Sequence, residues 1–162
     1  MELLFIQTGG TIDKDYPKST KGWAFEISEP AVERILKKLN PSFKYTIKSV
    51  LKKDSLKITD QDRLLLYNEC KAADENKIII THGTDTMIET AFFLSKLNEK
   101  TIVLTGAMRP ERFSNSDADL NVGVSLGAVQ TLTFGIYISM NGWVLPFDQV
   151  ARNMETGQYH KK

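Results

Sequence analysis

A doubly wound α/β fold is the class this sequence predicts, and three observations carry the prediction. Short apolar runs, β-branched in the later ones, recur along the chain as expected of parallel strands covered on both faces. Segments with helical spacing lie between them. No repeat, low-complexity tract or Pro/Ser-rich linker interrupts the alternation, which makes it a βαβ rhythm rather than two unrelated halves.

The elements follow in order. Leu3–Ile6 reads as the first strand. Val32, Ile35, Leu36 and Leu39 fit the i, i+3, i+4, i+7 helical template, with Ser28 as the expected cap and Pro30 in the first turn. Tyr45–Leu51 alternates and reads as a strand nearer a sheet edge. Thr59 with Asp62 three residues on resembles a capping box before Leu64–Tyr67. Ile78–Ile80 is the third strand, and a helix starting at Thr84 or Thr86 is expected to bury Met87, Ile88, Ala91, Phe92 and Leu94. Ile102–Leu104 is the fourth strand and Gly135–Ile138 the fifth. Between them, residues 117–132 alternate like a strand, yet Gly123 and Gly127 sit four apart as in a close-packed helix. The crossover between parallel strands decides for helix. The sum is a three-layer, mostly parallel sheet of Rossmann-like or flavodoxin-like kind, read as a single domain over residues 1–162, with 154–162 as a C-terminal tail that is either partly ordered or frayed.

Composition narrows the function classes. At 162 residues and 41% hydrophobic content the chain can bury one sizeable core. Its 21 basic and 20 acidic residues leave a formal charge of +1, with lysine pairs scattered rather than striped, so no nucleic-acid partner is expected. The lone cysteine, Cys70, falls in a helix-like run and reads as a packing residue. His82 and His160 are the only histidines, too few for a metal-dependent hydrolase, and no cofactor motif occurs. The start of the chain has no basic flank or cleavage pattern and no run approaches a membrane span, so a cytoplasmic protein without a membrane partner is expected.

Two turns carry the candidate chemistry. Thr8-Gly9-Gly10-Thr11-Ile12 follows the first strand, and its two glycines permit a sharp positive-φ turn that presents the Thr11 hydroxyl beside free backbone N–H groups. Alone, such a turn reads rather as an ordinary βα connection whose Thr11 caps a helix or stabilises the turn. Thr81-His82-Gly83-Thr84-Asp85-Thr86 sets a hydroxyl beside a carboxylate, but Thr84-Asp85 is also a good helix start, and a lone His before Gly is commonly structural. If the two strands are parallel neighbours, both turns open at one sheet edge, where such sheets bind ligands. That joint occurrence favours nucleophilic chemistry.

With Gly106-Ala107-Met108-Arg109-Pro110 added, these motifs in this order resemble the bacterial-type L-asparaginase and glutaminase family, over residues 1 to about 153 and over that family's N-terminal domain alone. The resemblance implies an amidohydrolase acting on a small amino-acid amide, with Thr11 as nucleophile, Thr84 as second catalytic threonine and Asp85 as holder of the α-ammonium. It implies Ser55 as binder of the substrate carboxylate, Gly10, Gly83 and Ala107 as backbone-lining positions, and assembly into dimers or tetramers in which a second domain of a neighbouring subunit supplies an acidic residue.

Departures from the family pattern are specific. Its loop tyrosine falls at Phe25, with Tyr16 as an alternative source of a hydroxyl. The polar residue after the binding serine is Leu56, followed by Lys57, and the family lysine falls at Arg152, whose guanidinium stays protonated and so can aid electrostatically but cannot be a base. Two other readings stand beside the amidase: an amino-acid-binding module with reduced or lost turnover, and, on fold analogy alone, a nucleotide-binding domain.

Overall fold

The computed structural model describes residues 1–19, 22–23 and 25–162. Along the chain run β1 (Glu2–Gly9), a 3-10 turn (Thr11–Asp13), β2 (Lys14–Asp15), β3 (Lys18–Ser19), β4 (Gly22–Trp23), β5 (Glu26–Ile27), α1 (Ala31–Leu39) and β6 (Lys44–Lys53). A second 3-10 turn (Ser55–Lys57) then leads to α2 (Asp60–Ala72), β7 (Lys77–Thr81), α3 (Met87–Leu94), β8 (Thr101–Thr105), α4 (Ala118–Thr131) and β9 (Gly135–Met140). The chain ends with β10 (Trp143–Pro146), a third 3-10 turn (Phe147–Gln149), β11 (Val150–Arg152) and β12 (Tyr159–Lys161).

The central sheet has the order β10-β9-β8-β7-β1-β6. β6, β1, β7, β8 and β9 are parallel, and β10 closes the edge as an antiparallel hairpin partner of β9. From β1 the chain steps outward to β6 and then returns to β7 on β1's other side. The reversal puts the topological switch point between β1 and β7, at whose carboxyl ends such sheets form a ligand crevice.

Alternation along the buried strands divides the core in two. Leu4, Ile6, Ile78 and Ile80 face Leu66 and Cys70 of α2 and Met87 and Leu94 of α3. Leu3, Phe5, Ile79 and Val103 face Val32 and Leu36 of α1 and Val122 and Val129 of α4. Burial on both faces explains why these strands are continuously apolar, and why solvent-edge β6 is not.

Local signals were kept in part. The capping box at Thr59 and Asp62 forms, with both reciprocal bonds. Residues 118–131 are helix, because Asn121, Val122, Ser125, Leu126 and Val129 make one buried stripe while Leu120 is left exposed. Ser28 does not cap α1. The helix begins after Pro30, and the buried Asp13 carboxylate accepts the Ala31 N–H at 2.7 Å in its place. Phe92, expected inside, is 68% exposed and only meets Phe147 edge-on, because α3 already fills its core face with Met87, Ala91 and Leu94. β10 and the β11–β12 hairpin have no counterpart in the expected elements, and the last residues pair as β12 instead of fraying. Among the described residues no helix is long and apolar enough to cross a membrane.

Candidate functional site

Register brings the two threonine turns together. β1 and β7 pair directly, Gln7 opposite Thr81, so both chains leave the sheet at the same edge. Thr8 Oγ1 donates to the Thr81 carbonyl at 2.9 Å and ties one turn's base to the other. Beyond it Gly9 and Gly10 adopt φ of 106° and 85°. Gly10 lies so close to Gly83 that a Cβ there would stand 2.3 Å from the Gly83 Cα. The glycines that immediately precede Thr11 and Thr84 are thus in backbone contact.

The third segment packs on the same point. A Cβ at Gly83 would come 2.6 Å from the Cβ of Ser55, itself buried at the start of its 3-10 turn. Ser55 Oγ accepts the Asp85 N–H at 3.3 Å, and the Ser55 carbonyl accepts the Thr86 hydroxyl at 2.8 Å. Gly10 N–H donates to the Lys53 carbonyl at 3.0 Å, just before that turn. The Gly106–Pro110 loop packs as closely: a Cβ at Gly106 would stand 2.3 Å from the His82 carbonyl oxygen, and the Glu111 N–H donates to the Ile12 carbonyl at 3.2 Å. Its backbone is pinned from α4: Asp117 accepts from Met108 and Arg109, and Asn121 Nδ2 donates to the Gly106 carbonyl. Asp117 is therefore committed to this loop, and Ser116 Oγ takes the Ala118 N–H at the helix start. The Ala107 side chain is buried in the core, so only its backbone is left to face a cleft.

The end of the chain contributes two contacts that sequence reasoning located only by half. Arg152 on β11, the position to which the resemblance assigns the family lysine, places Nη2 3.0 Å from Asp85 Oδ1. Opposite it in the ladder, Tyr159 reaches the same turn, its hydroxyl donating to the Thr84 carbonyl at 2.5 Å. Burial pushes the Tyr159 hydroxyl up, so it remains a neutral donor. Tyr159 was missed because its strand is three residues long. The one local signal was the Thr156-Gly157 turn, with Gly157 at positive φ.

His82 is a brace rather than a titrating group. It is fully buried, with Nδ1 2.7 Å from the Gly83 carbonyl and Nε2 2.9 Å from Thr90 Oγ1. A carbonyl only accepts, so Nδ1 carries the proton, and Thr90 donates its hydroxyl to Nε2 while accepting from Arg63 Nε at 3.3 Å. Burial, helped by the Arg63 charge, pushes His82 down to about 4. Cys70 is likewise inert, its thiol pushed up to about 12 by burial.

Asp13, two residues after Thr11, was not singled out by sequence. Burial lifts its carboxyl to about 7 although the Ala31 N–H pulls the other way, and its Oδ2 has no hydrogen-bond partner among the described residues. These two groups give opposed pH dependences. Between about pH 4 and 6.5 the unfolded Asp13 has lost a proton the fold retains, so stability on its account falls as pH rises; the unfolded His82 holds a proton the fold rejects, so stability on its account climbs. The slopes nearly cancel in the native sequence. Asp13→Asn is expected to unmask the histidine, with unfolding free energy rising by roughly 1.4 kcal/mol per pH unit across that window in denaturant titrations. A flat profile in the variant would show that His82 does not titrate as its burial demands.

Other expected residues sit apart. Phe25 and Tyr16 stack on each other at 4.6 Å and 27°, both rings exposed, with Lys14 Nζ 5.8 Å from the Phe25 centroid. The Tyr16 hydroxyl has no hydrogen-bond partner among the described residues, and Leu56 projects 74% exposed beside Ser55. A groove of about 660 Å³ between α2, α3 and Phe147 includes none of the turn residues. Among the described residues no three His, Cys, Asp or Glu side chains gather as a metal site.

The family model described as "Asparaginase, N-terminal" matches residues 2–158. A glutaminase-asparaginase of Acinetobacter glutaminasificans is 31% identical over 94% of this chain and 50% of its own length. A probable periplasmic L-asparaginase of Haemophilus influenzae is 30% identical over 95% of this chain and 47% of its own. The solved thermostable L-asparaginase of Thermococcus kodakarensis superposes with a TM-score of 0.84 at 27% identity, over 99% of this chain and 51% of that one. The chain spans about half the length of the relatives it matches.

Proposed function

The chain belongs to the asparaginase family, to its N-terminal domain, and on that premise we propose that it hydrolyses the side-chain amide of a small amino-acid amide, L-asparagine or a near relative. The observation that supports the reading is the backbone contact between Gly10 and Gly83, because it sets the Thr11 and Thr84 turns side by side at the carboxyl ends of β1 and β7, the edge at which such sheets bind ligands.

In this mechanism Thr11 Oγ attacks the amide carbonyl carbon. The tetrahedral oxyanion faces backbone N–H groups of the glycine turns, the C–N bond breaks, and ammonia departs with the proton that Thr11 gives up. Water positioned by Thr84 then cleaves the Thr11 ester, releasing the carboxylic acid and restoring the hydroxyl. Arg152 stabilises negative charge without exchanging protons. Gly10, Ser55, Gly83, Asp85 and the Ala107 backbone line the substrate side. Homo-association into a dimer or tetramer and a cytoplasmic location complete the proposal.

The test is ammonia release from L-asparagine and L-glutamine by the purified chain. Release from neither substrate at any pH between about 5 and 9, the range over which catalytic side chains usually titrate, would overturn it. A second reading, an amino-acid-binding module without efficient turnover, is favoured by the Arg152–Asp85 pair and by Leu56 and Phe25 at positions where the family pattern has polar groups. Calorimetric binding of aspartate that weakens in Asp85→Ala, without ammonia production, would select it.

A further inference from the structure

Thr84 and Asp85 follow one another between the end of β7 at Thr81 and the start of α3 at Met87, in neither strand nor helix. The Thr84 hydroxyl makes no hydrogen bond among the described residues, so the backbone that carries it decides where it stands. That backbone is gripped from two sides. The carbonyl of the Thr84–Asp85 peptide accepts the Tyr159 hydroxyl at 2.5 Å, and the N–H of the same peptide donates to Ser55 Oγ at 3.3 Å. A trans peptide is planar with these two groups on opposite edges, so holding both fixes its rotation about the chain. The Tyr159 bond is the much shorter of the two and the stronger restraint.

Tyr159 is itself built in. Its ring is a member of the core cluster that includes Met140 and Val150, and its N–H donates to Asn141 Oδ1 at 2.9 Å. Across the β11–β12 ladder it faces Arg152, which takes one Asp85 carboxylate oxygen at 3.0 Å and leaves the second open on a side chain that is 40% exposed. One cross-strand pair thus holds the Thr84 backbone and the Asp85 carboxylate together.

From these contacts we propose that Tyr159 is a positioning residue of the hydrolysis, its hydroxyl locking the Thr84–Asp85 peptide so that the Thr84 hydroxyl is held toward the Thr11 turn. The inference rests on the amidohydrolase reading for what Thr84 does there, which is to position the water that cleaves the Thr11 ester. Tyr159→Phe removes the hydroxyl and keeps the ring in the core. Asp85 would retain Ser55 on its N–H and Arg152 on its side chain, so the loss falls on Thr84 and on turnover, and ligand binding is spared.

In Tyr159→Phe, kcat for ammonia release from L-asparagine is expected to fall about tenfold, the scale of one buried hydrogen bond. KM and the calorimetric Kd for L-aspartate should stay within about twofold, since no group that binds the ligand is removed. Asp85→Ala should give the opposite split, with binding lost first. The Thr84 methyl resonance reads the same restraint without turnover: it should shift and broaden in Tyr159→Phe, while that of Thr86, whose hydroxyl has its own bond to the Ser55 carbonyl, stays put. In the native protein the Tyr159 hydroxyl proton should resist exchange with solvent, a reading that does not depend on the variant's folding. An unchanged Thr84 methyl, an unchanged kcat, a freely exchanging hydroxyl proton, or a loss of L-aspartate binding as large as the loss of kcat overturns the inference. A moved Thr84 methyl in a protein whose native form releases no ammonia removes the hydrolase and keeps Tyr159 as the residue that positions Thr84. Native turnover that Tyr159→Phe leaves untouched does the reverse.

Discussion

Thr11→Val is expected to lower kcat/KM for amide hydrolysis by at least about 10³-fold, the scale of losing a covalent nucleophile. Stability should change by no more than about 0.5 kcal/mol, as for a substitution that removes no packing and no internal bond. Thr11 is half-buried at the head of its 3-10 turn, and its hydroxyl has no hydrogen-bond partner among the described residues. Valine keeps the β-branch and the volume, so the hydroxyl alone is removed. Ammonia release and thermal unfolding measured on the same preparations check both halves. Turnover within tenfold of the native protein would take Thr11 out of the mechanism and leave the Thr84 turn as the place to look.

Why the turn that carries Thr11 was legible from sequence, and other features were not, has a physical explanation. A Gly-Gly-Thr after a short apolar run is a local turn signal, since the glycines are needed for the turn wherever the strand ends up. Which other turn it meets depends on strand order, which no local pattern specifies. The β1–β7 pairing was inferred as a condition, and the register supplies it. Asp13 is the converse case. A single acidic residue after Thr11-Ile12 looks like a solvent-facing turn residue, and only the three-dimensional return of α1 puts the Ala31 N–H on its carboxylate and closes water away. The same return made Ser28 redundant as a cap. Tyr159 was hidden by scale, because a three-residue strand has too few positions to display alternation, although its hydroxyl supports the Thr84 backbone directly. Arg152 was placed only by aligning from Met140-Asn141 with the family pattern, and its ion pair with Asp85 depends on the fold of the β11–β12 hairpin, which no local pattern displayed.

Gly10→Ala is expected to cost about 5 kcal/mol or more, enough to unfold much of the population, because two independent penalties coincide. At φ 85° and ψ −173° Gly10 occupies a backbone region open essentially to glycine alone. An added methyl would also stand 2.3 Å from the Gly83 Cα and 2.4 Å from its nitrogen, and neither is the end of a flexible side chain that can swing aside. The two turns would have to separate. Gly123→Ala provides the contrast: nothing lies within 4 Å of a Cβ there, and inside α4 alanine is favoured over glycine by roughly 0.5–1 kcal/mol. Denaturant titrations of both variants test whether the Gly10–Gly83 contact holds the two turns together, since a generic sensitivity to glycine replacement would destabilise both proteins alike. A Gly10→Ala protein as stable as the native one would mean that the two backbones do not touch, and the case for a shared threonine crevice would lose its geometric basis.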